Sequence, residues 1–149
     1  MKHVLTIVLV VLGGLIMSAS TIKSSSPTYS ITVKVTNIRS KNGRIQLQLY
    51  RSSEAFKNET PYKVRLKEKD DMKNGTVTYV FKDLEPGVYG VALLDDENSD
   101  NEMNYSMFLP KEGFGFADYY HTAWSKPKFE DFKFTLSSDK TTTAKIRYV

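Results

Sequence analysis

Apolar and polar residues alternate with a period of two along most of this chain. That pattern predicts an all-β fold, a seven-stranded antiparallel β-sandwich with one long capping loop. Three observations carry the expectation. Short runs place apolar residues at every second position. Turn dipeptides punctuate them: Asn42-Gly43, Asn74-Gly75 and Pro86-Gly87. No stretch shows the 3.6-residue periodicity of an amphipathic helix.

Residues 1–20, MKHVLTIVLVVLGGLIMSAS, read as a signal peptide. Lys2 gives the positive start, Val4 to Met17 is an uncharged apolar run, and Ser18, Ala19 and Ser20 offer a cleavage site. The run is shorter than the roughly 20 residues that cross a bilayer, so cleavage is expected over retention as an anchor, leaving no stable membrane span. Residues 21–28 form a polar linker and residues 29–149 a single domain. The expected location is exported, periplasmic or extracellular. The chain has no cysteine, which excludes disulfides, thiol catalysis and lipid attachment at a cysteine. Its formal charge of +4 comes from scattered lysines and arginines, with no basic run suited to nucleic acid.

The first strand, YSITVKVTNI, points Ile31, Val33 and Val35 to one face. Asn42-Gly43 then suits a tight hairpin turn into RIQLQLY, where Ile45, Leu47 and Leu49 alternate with Gln46 and Gln48. Ala55 and Phe56 stand out in a polar stretch as a plug for the core. YKVRLKEK is a third strand whose charge suits a sheet edge. After Asn74-Gly75, TVTYVFKDL places Val77, Tyr79 and Phe81 together. VYGVALLDD mixes apolar residues on both faces, as a strand buried on both sides does. FEDFKFTLS alternates Phe132, Phe134 and Leu136, and TTTAKIRYV turns Ala144, Ile146 and Tyr148 inward. The cue DLEPGVY before an inward strand is shared by prealbumin-like and immunoglobulin-like modules, a fold-level analogy.

The connection from Asp95 to Lys128 is far longer than ordinary loops and carries the candidate sites. It is expected to fold as a cap over one end of the sandwich. The stretches FKDLEPGVYGVALLDDENSDNEMNY, LPKEGFGFA and KPKFEDFKFTL resemble the exported bacterial family catalogued as domain of unknown function 2141. The likeness covers the last two-thirds of the chain, and Lys111–Phe116 is its most specific part. The family pattern has a frequent histidine where Asp95 stands and glycines at Ser99 and Asn101. It has aspartate at Asn104 and alanine at Phe132. The resemblance implies export and a β fold, and supplies no catalytic residues.

Between Asp95 and Asn104 lie five acidic residues, three asparagines and no basic residue. Asp96, Asn98, Asp100 and Asn104 fall at positions one, three, five and nine of a calcium-loop register, an all-oxygen set suited to a hard cation. Position six is Asn101 instead of glycine, and position twelve is Met107 instead of the bidentate glutamate. Glu112 or Asp118 can supply that carboxylate if the chain folds back. Against a structural Ca2+ site stands a solvated loop held by Asx turns.

His121 is the only histidine outside the leader, and no glycine-flanked serine accompanies it, so it reads as a surface loop residue. The rings of Tyr119, Tyr120 and Trp124 are the expected ligand-binding residues, and the remaining aromatics the cap's own core. Together these features predict a monomeric, non-enzymatic accessory or binding module that engages carbohydrate or an envelope protein. A small hydrolase acting on a glycan through loop carboxylates is the alternative.

Overall fold

The computed structural model describes residues 26–149; the expected signal peptide and the start of the expected linker lie outside the described residues. Ten strands and two single-turn helices are present among them. One sheet has the order β10-β1-β4, formed by Lys140–Lys145, Tyr29–Thr36 and Val77–Leu84. The other has the order β3-β2-β5-β8, from Lys63–Glu68, Arg44–Tyr50, Gly87–Asp96 and Gly113–Phe116. β9 (Phe134–Leu136) pairs with the first residues of β5, on Gly87–Tyr89. β6 (Tyr105–Ser106) and β7 (Leu109–Pro110) make a separate hairpin.

The two sheets share one core, as the alternation requires. Ile31, Val33 and Val35 of β1 and Val77 and Phe81 of β4 are buried with Ile45, Leu47 and Leu49 of β2 and with Tyr89, Val91 and Leu93 of β5. β3 is the edge strand, and its Val64 and Leu66 are exposed. β5 is buried on both faces, because a second cluster covers the outer face of its sheet. That cluster joins Tyr50, Ala92 and Phe116 to Phe56 of α1 (Ser53–Lys57) and to Phe129 and Phe132 of α2 (Phe129–Phe132). Phe56 does plug a core, although it is this second one.

Four expectations are corrected. The strand count is ten and not seven. The pairing is antiparallel except where β10 runs parallel to β1, Ile31 opposite Lys140 through Thr36 opposite Lys145. β1 and β2 do not form a hairpin, since each pairs within a different sheet. Gly43 is needed for another reason: its φ is +62°, and a Cβ there would stand 1.9 Å from the Asp96 carbonyl oxygen. Phe132 ends a helical turn and does not begin a strand; from there it meets Phe56 at 5.0 Å between ring centroids. Asn74-Gly75 behaves as expected, with both residues at positive φ, 48° and 66°, between the bridged Lys73 and Thr76.

The long connection is not a single loop. It first forms the acidic loop and the β6–β7 hairpin, then adds β8 to the five-stranded sheet. Residues beyond β8 fold back toward the outer aromatic cluster, where Tyr119 packs.

Candidate functional site

Strand alternation sends the neighbouring carboxylates at the end of β5 in opposite directions. Asp95 follows Leu93 inward, is fully buried, and forms an ion pair with Lys69, itself buried just beyond β3. The Tyr148 hydroxyl donates to its second oxygen. The Lys69 ammonium also donates to the Asn42 carbonyl at 2.5 Å. Burial pushes the Asp95 carboxyl above its ordinary range, against the pull of Lys69 and Tyr148. The Tyr148 phenol is pushed up by its own burial and by its bond to Asp95.

Asp96 follows Leu94 outward, opposite Arg44 of β2, whose Nε lies 3.6 Å from the carboxylate. One Asp96 oxygen accepts the backbone N–H of Asp100 at 3.1 Å and the other that of Asn101 at 3.0 Å. Glu112 is also buried and accepts the N–H groups of Glu97 (3.1 Å) and Asn104 (3.2 Å). Asn98 Nδ2 donates to Asp100 (2.9 Å) and to Asn104 Oδ1 (2.6 Å), and Asn104 Nδ2 donates to Asp100 (3.0 Å). All five residues of the calcium register, Asp96, Asn98, Asp100, Asn104 and Glu112, therefore converge. Asp96, Asp100 and Glu112 each offer an oxygen within 4.8 Å of the others.

Met107 is 89 % exposed at the hairpin tip, and Glu112 folds back to the loop in its stead. Asp118 is elsewhere: it accepts from Thr143 N at 2.9 Å and faces Lys140. Asn101 has a φ of 69° and Ser99 of 64°, the left-handed backbone that glycine adopts without cost. Bonds from Glu102 N and from Asn104 and Asn98 hold the Asp100 carboxyl below its usual range. This arrangement can hold a hard cation on the remaining lone pairs. Its carboxylates already shape the loop through backbone donors.

Beside the loop lies a cleft of about 660 Å³ on the outer face of the five-stranded sheet. Its floor includes Gln46, Gln48 and Tyr50, which alternate outward along β2. Tyr50 Oη donates to Gln48 (2.8 Å), Gln48 Nε2 to Gln46 (2.7 Å), and Gln46 Nε2 to the Asn101 carbonyl (3.2 Å). The Tyr50 phenol is pushed up to about 12, chiefly by burial. Phe114 and Phe116 of β8 line the cleft, with Tyr105 and Phe108 of the hairpin and Trp124 among its walls.

Of the rings expected to bind ligand, Trp124 is 80 % exposed and faces the cleft. Tyr119 is half-buried against Phe116, and Tyr120 is exposed under Lys145, outside the cleft lining. His121 is buried and not a surface residue. Nε2 donates to the Ser125 carbonyl at 2.6 Å, which leaves Nδ1 to accept from Tyr119 Oη at 3.3 Å. Sequence reasoning passed over Gln46, Gln48 and Tyr50 because they form the polar face of a strand that reads as solvated. Phe108 read as part of the cap's core, yet it is 97 % exposed.

The model of a family described as uncharacterised proteins conserved in bacteria, domain of unknown function 2141, matches residues 33–145. The chain belongs to this family. No curated protein and no solved structure matches it. The match to the domain of unknown function 2141 takes in β2, the acidic loop and the whole cleft wall from Tyr105 to Trp124.

Proposed function

We propose that this chain is a non-enzymatic binding module of the bacterial envelope or extracellular space, and that the cleft beside the acidic loop is where it binds. The observation that carries the reading is the cleft's composition. A hydrogen-bonded Gln46–Gln48–Tyr50 floor lies below rings, of Trp124, Phe108 and Tyr105, that the protein leaves exposed. Small-ligand sites typically occupy roughly 300–1,000 Å³ and combine apolar walls with a few placed polar groups. The partner is carbohydrate or an envelope protein, and the module acts as a monomer. Two sheets over a common core support a β-sandwich of the prealbumin-like or immunoglobulin-like kind. The leader-like residues 1–20 support export. In this reading the acidic loop takes a structural Ca2+ that stiffens one wall of the cleft. A glycan hydrolase is the weaker reading, because Asp96 and Glu112 spend both oxygens on backbone N–H groups.

The test is co-sedimentation with bacterial envelope fractions. The wild type is expected to sediment with a fraction, and a Trp124→Ala/Phe108→Ala variant to stay soluble with an unchanged melting temperature. Equal sedimentation of the two proteins, or none of either, contradicts the reading. Release of reducing sugar that Asp100→Asn abolishes in a folded protein would favour the hydrolase.

A further inference from the structure

The charges that line the cleft largely cancel. Lys126 is paired with Glu59 at 2.7 Å. Arg147 donates to the carbonyls of His121 (2.9 Å) and Ala123 (3.1 Å), and it shares the lining with Glu102. Of the outward residues of β2, Arg44 stands against Asp96 outside the cleft lining, and the three that line it, Gln46, Gln48 and Tyr50, are uncharged. A ligand of uniform charge meets both signs here, with no run of counter-charges to offset its lost hydration. The floor is instead built of two amides and a phenol. Their chain of bonds uses one amide N–H of each glutamine and leaves the other for a ligand hydroxyl or carbonyl.

The walls add a second, independent observation. The two-residue turn of the β6–β7 hairpin places Met107 and Phe108 at φ 47° and 73°. Turns with both central residues left-handed normally use Asn-Gly. Bulky side chains there are uncommon and costly, and such strain gathers where a side chain is held for use. Phe108 and Trp124, 97 % and 80 % exposed, both line the cleft. Two unpacked rings around an uncharged hydrogen-bonding floor suit a molecule with apolar C–H faces and a rim of hydroxyls. A pyranose ring is such a molecule. A purely apolar peptide would leave the amides unmatched, and a uniformly charged chain would meet like charge as well as opposite.

Resting on the binding reading above, we infer that the ligand is a neutral oligosaccharide. Its rings stack on Trp124 and Phe108, and its hydroxyls meet Gln46, Gln48 and Tyr50. Met107 and Phe108 are kept in a strained turn so that the phenyl ring stands over the cleft.

The experiment is titration calorimetry of the purified chain against a panel of neutral gluco-, galacto-, manno- and xylo-oligosaccharides and chitin oligomers. Uronate oligomers and a random peptide library serve as comparison arms. At least one neutral series is expected to bind. Trp124→Ala should weaken that binding at least tenfold. So should Met107→Asn/Phe108→Gly, which relieves the turn and leaves the melting temperature equal or higher. No binding by any neutral series at about 10 mM, where even millimolar sites fill, overturns the proposal. Selection of uronates or peptides that Trp124→Ala abolishes overturns the ligand class and leaves the cleft standing. Neutral-sugar binding that both variants retain overturns the cleft itself.

Discussion

Replacing Lys69 with methionine keeps the length of the side chain and removes its charge. The Lys69 side chain is 1 % exposed and that of its partner Asp95 fully buried. The lysine also supplies the donor for the Asn42 carbonyl. Losing one member of a buried ion pair typically costs about 3–5 kcal/mol, because the other charge is left uncompensated. At roughly 3–4 °C per kcal/mol for a domain of this size, the melting temperature should fall by about 10–20 °C.

The pH dependence separates this cause from simple loss of packing. Burial already raises the Asp95 carboxyl in the folded state, so the folded chain holds that proton more tightly than the unfolded chain does. Stability from such a group is present below the unfolded value and lost as pH rises through the folded one. Removing Lys69 moves the folded value higher still. The deficit should therefore be large at neutral pH and shrink as pH falls through the carboxylate range, where Asp95 becomes neutral. Urea unfolding of wild type, Lys69→Met and Lys69→Met/Asp95→Asn between pH 4 and 8 measures it. The double variant should recover much of the loss. A single-variant deficit under about 1 kcal/mol, or one that does not change with pH, would mean that the buried Lys69–Asp95 pair does not hold the fold in this way.

Ser99→Gly should stabilise the protein by about 0.5–1 kcal/mol in urea unfolding, since Ser99 sits at φ 64° and only its carbonyl is used, by Arg44. A calcium site of about 0.1–1 mM affinity adds about 1.4–2.7 kcal/mol at 10 mM ion. Wild type should therefore melt several degrees higher in calcium, and Asp100→Asn, altering an exposed ligand, should lose the increase; a wild type unmoved by calcium removes the ion from the account. In an ultraviolet titration of the nine tyrosines, Tyr50, Tyr89 and Tyr148 should ionise late, Tyr50 near pH 12, because burial raises all three. A single transition at the ordinary phenol value, in protein still folded, would contradict that.

What could be read from the residues was local. Double-sided burial of β5 followed from its unbroken apolar run, and the edge position of β3 from its alternating charges. The acidic register was legible because its oxygens are spaced along one loop, and Glu112 as its closing member only required the chain to fold back. Asn42-Gly43 misled because a left-handed turn residue looks the same whether the next strand stays in the sheet or crosses to the other. The parallel closure of β10 on β1 joins the two ends of the domain, and no local pattern encodes it. Phe132 fitted a strand by its spacing to Phe134, while its spacing of three from Phe129 fitted the helical turn that forms. The cleft was invisible for a related reason. Gln46, Gln48 and Tyr50 become the floor of a cleft only once the hairpin and the segment around Trp124 rise beside them.

Trp124 is the sole tryptophan, so its fluorescence reports on the cleft without a label. Emission of the free protein should be that of a solvent-exposed, iodide-quenchable indole, shifting to the blue and losing iodide access as soluble envelope polysaccharide is added. Binding confirmed by calorimetry with no change in that emission would mean that the ligand sits elsewhere.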